Sequence, residues 1–495
     1  MKEFLLTIDQ STSGTKALVV TSRGHILSSC AMPHKQYYPF PGWVEHDANE
    51  IYRNALHCAG EAIDKAGIGS DQLSALTLTN QRETALIWDR TTGEPVGPAI
   101  VWQCQRTSEM CEMLRSMGHE PKIQAKSGLL LDPYFSASKW RWILDHTPIA
   151  AEKLAGGDWL AGTMDSWLLW KLTGGSVHAT DYTNASRTSL FNIHTLQWDE
   201  ELCGLFGVPR ELLPEVRPSD VVYGYTQGAA PLIDGIPIAG VIGDSQAALF
   251  GNLCLEEGMA KATYGTGTSV LMNTGAKPAA SSKGLVQAIA WGQGDTVTYA
   301  IEAIIRTSGD SIKWIRDSIG LFDSFEEFDA LLRQAPDNEG VYLVPAFVGL
   351  GAPYWQPNAR AAITGMNRGT GRAHLARAAL ESIAYQVKDA IDLLQDATSI
   401  ELSELRVDGG ASENDILMQF QADLLDIDVM RAGAPELSAL GSAYMGGLAV
   451  GIWSSPDDLR RIDGQGKTFH PAMDPVNRER HYTGWKKAVA SVIGT

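Results

Sequence analysis

Two stretches half a chain apart share one layout, and this repetition constrains the fold more than any other feature of the sequence. In the first, the β-type runs FLLTID (Phe4–Asp9) and KALVVTS (Lys16–Ser22) flank Gln10–Thr15, a turn rich in small hydroxylated residues with one glycine. In the second, MAKATY (Met259–Tyr264) and VLMNT (Val270–Thr274) flank GTGTS (Gly265–Ser269). Around them, helix-type segments (Ala48–Lys65, Arg372–Gln395) alternate with short apolar runs (Leu73–Thr79, Val341–Phe347, Glu404–Gly410). That alternation predicts an α/β fold. The similar hairpins predict two related lobes, 1–250 and 251–495, meeting near Ala248–Gly258 without a low-complexity linker. With 495 residues, 44% of them hydrophobic, the chain can fill two cores. Ligands are expected in the cleft between the lobes, at the carboxyl ends of the strands.

Charge narrows the partners. Forty Lys+Arg against 58 Asp+Glu give a net charge of −18, a field that repels nucleic acid and anionic membranes. Six scattered cysteines without a C-x-x-C pair predict reduced thiols in a cytoplasmic protein. The N-terminus has no signal-peptide pattern, and the weakly polar stretch Leu440–Trp453 is shorter than the ~20 apolar residues of a membrane span. An anionic ligand would need a local pocket of backbone N–H groups, hydroxyls, a few cations or a metal ion.

GQGKT (Gly464–Thr468) ends like a P-loop, but Arg461 stands where the first glycine is required and no strand precedes it. No G-x-G-x-x-G follows a strand either. The two hairpin turns remain. Gly, Ser and Thr at a strand end can offer N–H groups and hydroxyls at close range, and Asp9 before the first turn suits Mg²⁺ held through water. Either turn alone could be an ordinary hairpin; a third Gly-rich element, DGGASEN (Asp408–Asn414), favours a nucleotide clamp.

Together these elements resemble the actin-like (ribonuclease H-like) ATPase superfold: DQSTSGTK (Asp9–Lys16) and TYGTGTS (Thr263–Ser269) as phosphate loops, VDGGASEN (Val407–Asn414) as the adenosine loop. YFSASKWRWILD (Tyr134–Asp145) and AAITGMNRGTGRAHLARAALE (Ala361–Glu381) are similar to the signature stretches of the FGGY carbohydrate kinases. PGWVEHD (Pro41–Asp47), TNQRET (Thr79–Thr84), VWQCQRT (Val101–Thr107) and DYTNASRTSLFNIHTLQWD (Asp181–Asp199) are similar to the glycerol kinase branch. The resemblance implies two lobes with an interlobe cleft. It also implies Mg²⁺- and ATP-dependent transfer of a phosphoryl group to a terminal hydroxyl of a small polyol, glycerol first. By the same resemblance Arg82, Glu83, Tyr134 and Asp244 grip substrate hydroxyls, Asp244 also serving as the base, and Trp102 walls the carbon chain. Thr12, Ser13, Gly14, Lys16 and Thr266 hold phosphates, while Gly309, Lys313, Gly410 and Asn414 line the nucleotide site.

The chemistry is consistent with that reading, because an uncharged polyol must be gripped by paired donors and acceptors, and phosphoryl transfer needs a carboxylate for the hydroxyl proton. Plainer readings stay open: Arg82-Glu83 as a solvated pair, Asp244 as a helix cap. The departures bear on the substrate. Ser245 replaces a usual Gln and Ser269 a usual Phe, so the pocket is expected to be roomier and more polar, admitting a four- or five-carbon polyol or ketose; separately, Lys313 stands where a nucleotide-contacting Gln is usual. The segment QGAAPLIDG (Gln227–Gly235) lacks the pattern that binds a sugar bisphosphate regulator, so no such regulation is expected. A non-catalytic actin-like nucleotide switch is the alternative from another class. A homo-oligomer, dimer or tetramer, is expected.

Overall fold

The computed structural model describes residues 3–279, 284–356, 358–462 and 466–493. Its first strand, β1 (Phe4–Gln10), is buried beyond Phe4 because it lies in the middle of a sheet covered on both faces. That sheet contains β1, β2 (Gly14–Thr21), β3 (Ile26–Pro33), β4 (Leu73–Asn80), β5 (Val222–Tyr225) and β6 (Pro237–Gly243), in the order β3-β2-β1-β4-β6-β5. β2 runs antiparallel to β1, whereas β4 and β6 continue parallel, and β5 closes the edge antiparallel.

A second sheet repeats this plan. β7 (Met259–Tyr264), β8 (Thr268–Gly275), β9 (Val286–Gln293), β10 (Thr296–Ile305), β11 (Glu404–Asp408), β12 (Val429–Arg431) and β13 (Lys467–Phe469) are ordered β9-β10-β8-β7-β11-β12-β13. β7 and β8 form the hairpin, β10 pairs antiparallel with β8, β11 and β12 continue parallel to β7, and β13 closes antiparallel. Removing the extra edge strand β9 leaves the six-strand topology of the first sheet. The two predicted lobes are therefore one topology twice, in the actin-like arrangement.

Helices cover and join the sheets. α1 (Ala48–Ala66) starts on Asp47, whose carboxylate accepts from the Asn49 and Glu50 amides at 2.8 and 3.1 Å, and lays its apolar face on the first sheet. α2 (Asp244–Gly251), following β6, packs against α5 (Leu437–Ala449). Between them in the chain come α3 (Arg372–Thr398) and α4 (Asp415–Leu425) of the second lobe. The α2–α5 contact explains the Gly-rich run read from the sequence: a Cβ on Gly441 would stand 1.8 Å from the Ala247 carbonyl oxygen, so only glycine lets the helices touch. Among the described residues no helix is long and apolar enough to cross a membrane. Gly464 and Gln465 of the P-loop-like run lie outside the described residues; Lys467 and Thr468 sit in edge strand β13.

Candidate active site

The carboxyl ends of both sheets face one cleft of about 770 Å³. Strand register decides which side chains enter it. Across the first hairpin Asp9 stands opposite Lys16, and both line the cleft. Across the second, Thr263, Ser269 and Ile304 form one row, with Lys261, Leu271 and Glu302 in the row behind. Directly opposed residues share a face, so all of these except Leu271 become cleft lining.

At one end lies a buried ion network. β4 runs into Gln81, whose amide is held by the Gln10 carbonyl at 2.7 Å, and the chain then turns through Glu83 at φ 62°. A non-glycine residue in the left-handed region is a strained conformation that the surroundings must hold. Arg82 and Glu83 are only 7% and 1% exposed, which overturns their reading as a solvated pair. Arg82 Nε lies 2.9 Å from Asp244 Oδ1 and its Nη2 3.6 Å from Glu302 Oε1. Glu83 turns the other way, to Arg187 Nε at 2.6 Å, and Arg187 Nη1 reaches Glu302 Oε2 at 3.1 Å. Asp244 is not the helix cap either: Gly243 holds the N-cap position of α2.

Burial pushes the Glu302 carboxyl up, but Arg82 and Arg187 outweigh it, with the Ser269 hydroxyl donating at 2.8 Å, and it is held at about 2. For Glu83 burial wins over its guanidinium neighbours and the pKa is raised. Burial likewise raises Tyr134, so its phenol stays protonated. The Tyr134 ring lies 5.2 Å from Trp102, whose indole N–H donates to Thr12 Oγ1 at 2.9 Å and so ties the aromatic wall to the first turn. Behind Tyr134, the buried Lys139 ammonium donates to the carbonyls of Pro133 and Tyr134, each at 2.6 Å, and of Phe135 at 3.0 Å.

At the other end the lining is rich in glycine, with Gly265 and Gly267 of the second turn and Gly409 and Gly410 after β11, beside the side chains of Glu413, Arg431 and Glu436. Gly409, at φ 89°, packs so closely that a Cβ would meet the Tyr264 carbonyl oxygen at 2.6 Å. Lys16 pairs with Glu436 at 2.7 Å beside this region. Asp9 is buried, and burial with the nearby Asp244, and more weakly Glu436, lifts it to about 7 against the pull of Lys16. A carboxylate so short of positive charge suits a divalent cation. Among the described residues no group of three His, Cys, Asp or Glu could hold a metal, so the ion's remaining ligands would be water and phosphate oxygens.

Of the residues singled out in the sequence, Asp9, Lys16, Arg82, Trp102, Tyr134, Asp244, Ser245, Ser269 and Gly410 line the cleft. Thr12, Ser13 and Gly14 form the first turn at its rim, and Thr266 is the exposed tip of the second. Glu83 lies beneath the cleft on Arg187. Gly309 backs the second turn, its amide donating to the Gly265 carbonyl at 3.0 Å. Lys313 is exposed. The Asn414 amide caps α4, its Oδ1 accepting from the Leu417 amide at 3.0 Å while its Nδ2 donates to Asp329 at 3.1 Å. The sequence reading missed Arg187, Glu302 and Lys261; for the last two the visible signal was a single charge inside an otherwise apolar strand.

The N-terminal domain of the FGGY family of carbohydrate kinases matches residues 4–251, and its C-terminal domain matches residues 260–450. The chain belongs to the FGGY family. Within it, glycerol kinases of Bacillus licheniformis and Bacillus anthracis are each 48% identical over 489 residues, 99% of this chain and 99% of each relative. A crystal structure of Plasmodium falciparum glycerol kinase with ADP superimposes with a TM-score of 0.94 at 37% identity, covering 99% of this chain and 98% of that one. Xylulose kinase from Lactobacillus acidophilus shares the fold, with a TM-score of 0.86 at 19% identity and 99% of both chains covered.

Proposed function

We propose that this FGGY kinase transfers the γ-phosphoryl group of ATP to a terminal hydroxyl of glycerol, giving glycerol 3-phosphate and ADP. The observation that carries the reading is the convergence of Arg82, Tyr134, Trp102 and Asp244 at one end of a cleft whose other end is lined by glycine-rich turns. The 48% identity to glycerol kinases over the whole chain supports the substrate.

In this reading Trp102 and Tyr134 flank the carbon chain, while Arg82 donates to substrate hydroxyls and Asp244 accepts from one. Asp244 takes the proton of the attacking hydroxyl as that oxygen bonds to phosphorus and the bond to the ADP oxygen breaks. Arg82, 2.9 Å from the Asp244 carboxylate, holds it aimed. Glu83 acts from beneath, fixing Arg187 and the turn that carries Arg82. ATP supplies the phosphoryl group; Asp9 would hold Mg²⁺ through water, and the ion would supply charge neutralisation at the phosphates. Thr12, Ser13, Gly14 and Lys16 on one side and Thr266 on the other are read as phosphate contacts. Gly309, Lys313, Gly410 and Asn414 are read as the nucleotide side, Gly309 and Asn414 by holding its turns in shape.

A longer polyol is the second reading, favoured by the Ser269 hydroxyl, which together with Ser245 puts small polar groups in the cleft lining. Release of ADP measured over glycerol, erythritol, xylitol and xylulose tests both. Glycerol is expected to give the highest kcat/KM; a higher value for a longer substrate transfers the assignment to it, and no turnover with any removes the kinase reading. We also propose lobes of residues 1–250 and 251–495 and a cytoplasmic homo-oligomer, dimer or tetramer. The six unpaired cysteines support the compartment, and light scattering measures the assembly.

A further inference from the structure

Among the described residues four cations line the cleft: Lys16, Arg82, Lys261 and Arg431. Three are engaged by carboxylates: Lys16 by Glu436 at 2.7 Å, Arg82 by Asp244 at 2.9 Å, Arg431 by Asp415 at 3.0 Å. Lys261 differs. It is 1% exposed, and among the described residues its ammonium has one hydrogen bond, to Thr263 Oγ1 at 2.9 Å, and no carboxylate within 4 Å. An ammonium carries three donors, and leaving two unfilled at a buried site is costly unless a ligand completes them.

Its position says which ligand. Lys261 and Thr263 are two residues apart on β7, so their side chains share the cleft face, and β7 runs directly into the Gly265–Gly267 turn. The charged groups acting on it are Asp408 of the adenosine-side strand, then Glu302, Arg82 and Asp244 of the substrate end. Lys261 thus lies at the seam between the two ends, where a phosphoryl group in transit must pass. The acids near it are already served: Asp408 accepts from Asn252 Nδ2 at 2.7 Å, Glu302 has two guanidinium partners, and Asp244 has Arg82. Nor does the fold demand a charge there. The corresponding position of the first hairpin is Thr7, which is fully buried and bonded to the Thr77 hydroxyl at 2.9 Å.

We propose that Lys261 is a catalytic cation for the kinase reaction: its free N–H donors bind the transferring γ-phosphoryl oxygens and neutralise the charge that develops on them. The inference rests on the kinase function proposed above. One preorganised donor of this kind is worth about 10²–10³ in kcat.

The test is Lys261→Met in the full chain, with turnover followed by ADP release and nucleotide binding by calorimetry without polyol. The expected result is a kcat lower by about 10²–10³. The glycerol KM and the ADP affinity should stay within about threefold, and ATP affinity should fall about tenfold relative to ADP. Lys261→Arg is expected to recover at least tenfold of the lost rate. A kcat within about threefold of the parent, or ATP and ADP affinities that fall together, overturns the proposal and leaves Lys261 a structural residue. If the Met variant does not fold, Lys261→Gln is measured in the same way with the same criteria. A parent protein without polyol-dependent ADP release would instead refute the kinase reading itself.

Discussion

The two hairpins that bound the cleft are one motif carrying different chemistry. In register, Asp9 and Lys16 of the first correspond to Thr263 and Ser269 of the second, and the neighbouring parallel strands contribute Thr79 and Asp408 at the matching positions. One row back, Thr7, Leu18 and Thr77 correspond to Lys261, Leu271 and Arg406. The leucine is kept in both, because it packs the core where the lobes meet. The polar positions differ throughout. The first hairpin itself presents the charges Asp9 and Lys16 at its front row and the neutral Thr7 behind; the second itself presents the hydroxyls Thr263 and Ser269 in front and the charge of Lys261 behind, its neighbouring strand adding Asp408 to the front. A duplicated scaffold thus fixes positions, while the sign at each position is free to serve a different part of the ligand.

The contrast can be broken most severely at the tie between the lobes. Arg187 joins Glu83 of the first lobe to Glu302 of the second, so Arg187→Met leaves two buried carboxylates without their shared cation. We expect a loss of about 3–5 kcal/mol in urea unfolding. A loss under about 1 kcal/mol would show that the network does not hold the lobes together.

Next in size is an acid effect. Glu302 is held at about 2 against an ordinary 4.5, so the stability it contributes is present above pH 4.5 and is lost as pH falls toward 2. That share is on the order of 3 kcal/mol. Glu302→Gln is expected to flatten this part of the stability profile, and an unchanged slope between pH 4.5 and 2 would contradict the assignment. The smallest effect is expected at Thr7, the counterpart of Lys261. Thr7→Val removes one buried hydroxyl bond for about 1 kcal/mol and leaves kcat within about twofold. A large rate loss there would mean that the row, and not the Lys261 charge, matters.

Much of this was legible in the sequence, for physical reasons. Hairpins announce themselves through paired apolar β-type runs flanking Gly/Ser/Thr turns, so both turns and the doubled topology could be placed before any coordinates. Arg82, Tyr134, Trp102 and Asp244 were found through family resemblance, and the structure brings them to one cleft. The direction of Glu83 was not legible, because a positive φ at that residue turns its side chain away from the cleft and no neighbouring glycine signals it. Asn414 was placed on the nucleotide side through family resemblance; that its amide also starts a helix was not legible. Arg187 and Glu302 escaped because their importance lies in long-range pairing. A lone charge in an apolar strand shows that a partner must exist, and does not say which.

On the proposed function the cleft divides into a substrate end that does the chemistry and a nucleotide end that binds independently of it. Asp244→Asn, assayed for turnover with glycerol and titrated with ADP, tests this most directly. The expected result is a kcat lower by about 10²–10⁴ with ADP affinity within about twofold of the parent. Turnover close to the parent, or ADP binding lost along with it, would contradict the division.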